Sequence, residues 1–200
     1  PATKLSANTT YGFSIVTYTG TGSAGTIAHG LGAAPKWIIV KRRSSSQSWI
    51  VYHAGVNGGT TPEDFLMKLN QTARDSDDNT AWNDTAPTST VFTVGTSSGT
   101  NTSSETYVAY CWCDKTAYSK FGNYTGTGAS GNAVTGVGFK PAFLMIKRTD
   151  ATADWIIWDN TRDGDDRASR FLYPNLALEE QESANVATFT NDGFTLNDGT

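Results

Sequence analysis

The chain has 200 residues, 38% of them hydrophobic and 17% charged, with a net charge of −4. That is enough for one large or two small domains with a real core, and too apolar for a disordered chain. The acidic balance argues against a basic face that could displace counterions from phosphate, so no nucleic-acid partner is expected. No apolar run approaches the roughly 20 residues of a membrane-spanning helix.

In chain order, Pro1 to Thr10 is polar and lacks a signal-peptide core. The start on Pro1 rather than Met reads as excision from something longer. Strands are predicted over Phe13–Tyr18, Thr26–His29, Trp37–Arg42, Trp49–Tyr52, Phe65–Leu69, Val91–Val94 and Tyr107–Trp112, from runs of branched and aromatic residues between turn signals. Trp37–Val40 is apolar throughout, which suits a strand covered on both faces. Over 107–113 the chain alternates, with Tyr107, Ala109, Cys111 and Cys113 on one face and Val108, Tyr110 and Trp112 on the other.

The pattern then recurs. Aligning Tyr18 with Tyr124, an offset of 106, gives 13 identities over 36 positions without a gap. Gly20, Gly22, Gly25, Gly30 and Gly32 return as Gly126, Gly128, Gly131, Gly136 and Gly138, and Pro35 as Pro141. The second copy predicts strands at Phe121–Tyr124, Ala133–Thr135, Phe143–Lys147, Trp155–Trp158, Arg170–Tyr173, Ala187–Thr190 and Phe194–Leu196. Pro174–Ala184 has helix formers with Asn175 as a candidate N-cap, and reads equally as a polar loop. The expected fold is all-β: two tandem related β-sandwich (jelly-roll-like) units, residues 1–116 and 117–200. Glu105–Trp112 displaced by 106 falls at 211–218, past Thr200, so the second unit is expected to lack its final strand and to leave an edge open near Phe194–Leu196. A continuing chain, a neighbouring subunit or Pro1–Thr10 could fill it.

No constellation of catalytic residues stands out, and the chain is not expected to be an enzyme or to carry a cofactor or metal. His29 and His53 are replaced by Thr135 and Asp159 in the other copy, which favours structural roles. Cys111 and Cys113 share a strand face and read as buried thiols. Asp75-Ser76-Asp77-Asp78 and Asp163-Gly164-Asp165-Asp166 are solvated loops, or weak calcium sites lacking the EF-hand ladder. Glu63, Asp64, Asp84, Glu105 and Asp114 are available carboxylates, but nothing pairs them across a cleft as a glycosidase requires. The glycine runs lack the Lys-Ser/Thr of a phosphate loop. Trp82-Asn83-Asp84, in a loop without a counterpart in the second copy, is the candidate ligand-binding site, for a glycan; a buried Trp pinning a long loop is the competing reading.

The stretch YGFSIVTYTGTGSAGTIAHGLGAAPKWIIVKRRSSSQSWIVYH, followed by TAWNDTAPTSTVFTVGTSSGTNTSSETYVAYCW, resembles a repeat domain of uncharacterised tail-fibre and virion appendage proteins of bacteriophages, many of them marine. The resemblance runs from about Tyr11 to Thr200. It implies a virion location, a structural role in a fibre or appendage, host-surface (glycan) attachment, and partners that are copies of the chain or other virion proteins. A carbohydrate-binding module outside a virion, and then a polysaccharide-degrading enzyme, are the alternatives.

Overall fold

The computed structural model describes residues 2–164 and 166–197, with Ala2, Thr3 and Asn185 described by their backbone alone. The described chain is almost entirely β, and it divides into two compact units, Pro1–Asn123 and Tyr124–Thr200. The first contains β1 (Ala2–Asn8), β2 (Phe13–Thr19), β3 (Gly25–Ala28), β4 (Trp37–Arg42), β5 (Ile50–His53), β6 (Phe65–Lys68), β7 (Ser76–Asp77), β8 (Val91–Val94) and β9 (Thr106–Trp112). The second contains β10 (Asn132–Val134), β11 (Phe143–Lys147), β12 (Trp155–Asp159), β13 (Arg167–Phe171), β14 (Gln181–Thr190) and β15 (Gly193–Leu196).

In the first unit a seven-stranded antiparallel sheet, ordered β1-β2-β9-β4-β5-β6-β7, packs against the β3–β8 ribbon. Alternation sets the inner face. Val16 and Tyr18 of β2, Tyr107, Ala109 and Cys111 of β9, and Ile38 and Val40 of β4 point inward onto Ile27, Phe92 and Val94 of the ribbon. The register places Ala109 between Val16 and Val40, and Cys111 between Ser14 and Ile38, so small residues of the central strand sit beside the branched Val40 and Ile38 of β4. On the outer face Phe13, Trp112 and Trp37 stack across three strands, with ring centroids 5.0 and 4.5 Å apart.

The segment after β9 belongs to the first unit. Phe121 packs against Trp37, the Phe121 N–H donates to Asp114 Oδ1, and Asn123 Nδ2 donates to the Gly55 carbonyl. The boundary therefore falls at Asn123/Tyr124 rather than at 116/117.

The second unit contains a β10-β15-β14-β13 sheet and a β11–β12 hairpin, joined through the Ile157–Leu172 bridge. Val134 pairs with Phe194, and Ala133, the counterpart of Ile27, pairs with Thr195. Three expectations are corrected here. Phe194–Leu196 is not an open edge, because β15 lies between β10 and β14. Phe121–Tyr124 is not a strand: its counterpart β2 is held by β1 and β9, and among the described residues no such neighbours flank it. Pro174–Ala184 contains no helix. Residues 181–184 open β14, and Asn175 uses its side chain on the hairpin instead, Oδ1 accepting the Trp155 N–H and Nδ2 donating to Asp154. Asn70 Oδ1 accepts the Trp49 N–H in the same way in the first unit. The segment Ala2–Asn8 pairs with β2 and does not fill a gap in the second unit.

Candidate functional site

β4 is a central strand, bonded to β5 on one side and β9 on the other. Its repeat counterpart β11 is bonded to β12, and among the described residues no strand lies on the opposite side of Phe143–Ile146. Antiparallel bonding alternates along a strand. Asn160 N–H donates to the Ala142 carbonyl, so even-numbered residues face β12 and the N–H and C=O groups of Phe143 and Met145 face the open edge. The side chains record the same difference. Ile38 and Val40 are fully buried beneath the sheet, whereas Leu144 and Ile146 in the same positions are only half-buried, and Phe143 is 56% exposed. Tyr18 is 1% exposed, edge-on to Phe92 and stacked on Tyr107 of β9. Tyr124 meets Phe194 edge-on in the same way, yet remains 36% exposed. This edge is the candidate functional site; the sequence reading expected an open edge in this unit but placed it near Phe194–Leu196.

The glycan candidate is placed differently. Trp82 is 2% exposed and packs edge-on to Tyr52 at 5.9 Å, so its ring presents no free face. The loop is clamped around it, with the Ala81 carbonyl accepting from Gly95 N–H and Thr100 Oγ1. Asn83 and Asp84 are exposed and lie in the left-handed backbone region. Burial, then the charges of Asp64, Asp77 and Asp78, raise the Asp84 pKa. The structure thus brings the Trp82 loop beside the first acidic cluster. Within that cluster Asp75 pairs with Arg74, and Asp78 accepts from the Thr80 N–H and hydroxyl. In the second cluster Asp163 accepts the Ser169 and Arg170 N–H groups, Asp166 pairs with Lys140, and Asp165 lies outside the described residues. Among the described residues no group of three His, Cys, Asp or Glu could hold a metal ion. A polar hollow of about 260 Å³ between Asp163, Arg170 and Glu182 is spanned by Arg170, 3.9 Å from each carboxylate. Cys111 and Cys113 are free and buried, and burial pushes the Cys111 thiol up to about 12.

Both histidines hold turns. His29 is fully buried; its Nδ1 accepts the Leu31 N–H, which leaves Nε2–H to donate to the Thr88 carbonyl. In the second unit Asp192 closes the equivalent turn, accepting the N–H groups of Gly136 and Gly138. His53 Nδ1 accepts the Gly55 N–H, and its counterpart Asp159 accepts from Thr161 and Arg162.

These swaps give the two units different acid responses. Burial lowers the His29 pKa, and burial, opposed by the charge of Asp114, lowers that of His53 to about 4. As pH drops below about 6.5, the unfolded chain takes up protons that the folded one refuses. Stabilisation complete above that pH is therefore lost toward pH 4, with His53 alone costing about 2 kcal/mol by pH 5. The Gly136 and Gly138 N–H bonds lower the Asp192 pKa, so its contribution persists until pH falls below the ordinary carboxylate range. Urea unfolding followed by NMR at pH 7 and pH 5 should show the first unit losing stability and the second holding; equal losses would contradict the assignment.

The chain belongs to the family of the domain of unknown function DUF7483, which matches residues 2–200. No curated protein and no solved structure matches it significantly.

Proposed function

We propose that this member of the DUF7483 family is a structural module of a viral fibre or virion appendage. Its work is assembly with copies of itself or other virion proteins, with host-surface glycans as a further ligand. The supporting observation is the unpaired edge of Phe143–Ile146. Main-chain donors and acceptors stand there beside half-buried Leu144 and Ile146, a surface that gains by joining a further strand. The resemblance of the repeat to phage fibre domains points the same way. For glycan contact, the Tyr11–Tyr118 pair offers exposed rings with centroids 5.0 Å apart, which Trp82 does not.

Antibody raised against the chain should decorate a fibre or appendage on particles of the virus that encodes it, and light scattering should show a mass above that of the monomer. Bare particles and a monomer at every concentration would sink the reading. A glycan array of wild type and Tyr118→Ala tests attachment: signal lost in the variant supports the tyrosine pair, and signal unchanged removes it.

A further inference from the structure

The second unit keeps a fitting that none of its described residues fills. In the first unit the Gly20 N–H donates to the Glu105 carbonyl and the Gly20 carbonyl accepts from Ser104, so the loop entering β9 lies directly on the glycine. A Cβ on Gly20 would stand 2.1 Å from the Thr102 carbonyl oxygen. Gly126 occupies the same place in the repeat. Its φ lies outside the left-handed range, and among the described residues nothing lies within 4 Å of where a Cβ would go. Neither backbone conformation nor crowding within the unit requires glycine there; the approach of a loop like 101–105 would. Gly126, the uncovered side of Tyr124, half-buried Leu144 and Ile146, and the outward main-chain groups of Phe143 and Met145 all correspond to first-unit positions covered by β9 and its entry loop.

We infer that the second unit is a strand acceptor. The open edge of β11 binds an extended segment with the pattern of β9, donated antiparallel by a neighbouring polypeptide. The first unit specifies the donor's chemistry. An aromatic residue in the place of Tyr107 stacks on Tyr124. Small side chains two and four residues later, in the places of Ala109 and Cys111, lie beside Ile146 and Leu144. A small polar loop precedes the strand and crosses Gly126. β1 is a poor donor: it carries no aromatic residue, and its sequence ATKLSAN lacks an aromatic-x-small-x-small pattern. This inference deepens the assembly reading and rests on it for the donor's source.

The test uses the full chain and a synthetic peptide with the sequence of residues 97–114, kept reduced. NMR should show saturable binding, with amide exchange at Phe143 and Met145 slowed about tenfold or more. A scrambled peptide should do nothing. Gly126→Ala, which has room to fold unchanged, should weaken binding by at least about tenfold, because its methyl meets the incoming loop. No protection at saturating peptide, or full affinity in Gly126→Ala, overturns the inference. Protection seen only when the sequence is fused after Thr200 overturns donation by a separate chain. Failure here with particles still decorated by antibody leaves the fibre reading standing, whereas bare particles with a bound peptide would remove the fibre reading alone.

Discussion

Gly20→Ala destabilises the first unit by about 3 kcal/mol or more, while Gly126→Ala leaves the second unit unchanged or up to about 1 kcal/mol more stable. The two substitutions are identical in chemistry and in repeat position. They differ in what the added methyl meets. At Gly20 it meets the Thr102 carbonyl oxygen at 2.1 Å, in a stretch of backbone that cannot easily retreat. Asn101 there donates from Nδ2 to the carbonyls of Gly95 and Ser23 and accepts the Thr21 N–H on Oδ1, while the Gly22 N–H donates to its main-chain carbonyl. Moving the loop would break several of these bonds at a buried residue. At Gly126 the methyl meets nothing, and the loss of chain entropy on folding falls slightly. Chemical denaturation resolved by unit checks this, and equal losses in the two variants would refute the contrast.

Trp82→Ala is the second large effect, a loss of about 3–5 kcal/mol from the first unit, in the range for truncating a buried aromatic residue. The ring belongs to the first unit's core, edge-on to buried Tyr52 in the loop that Gly95 and Thr100 hold in place. Its Nε1–H finds no acceptor among the described residues. Trp82→Phe should therefore retain most of the stability, since it gives up ring volume but no hydrogen bond. A Trp82→Ala variant that kept its unfolding midpoint would show that the ring is not part of the core.

Most of the strands were legible because period-two alternation and the repeat reinforced each other. Trp37–Arg42, Val91–Val94 and Phe143–Lys147 match prediction at both ends. β1 was missed because ATKLSAN has no apolar alternation; it is an exposed edge strand defined by its pairing to β2. Of the two readings offered for 174–184, the polar loop holds over 174–180, and at 181–184 weak local helix propensity gives way to β14, whose Gln181 and Glu182 pair with β13.

The candidate site was half legible. Counting strands along the repeat led to the expectation of an open edge in the second unit, but placed it beside Phe194–Leu196, the last strand in sequence. In space β9 inserts between β2 and β4, far in sequence from both, so the strand without a second neighbour among the described residues is β11 instead. Composition carries no signal for that crossover. Nor could it separate Trp82 as a core plug from Trp82 as a sugar platform, because that depends on which loop closes over the ring.

The central claim is that β11 is an edge strand where its twin β4 is central. Amide exchange measured by NMR on the 200-residue chain tests it directly. Trp37 and Ile39, which face β9, should exchange only with unfolding of the first unit, and Phe143 and Met145 should exchange orders of magnitude faster than the stability of the second unit allows. Protection of Phe143 and Met145 equal to that of Leu144 and Ile146 would contradict the account.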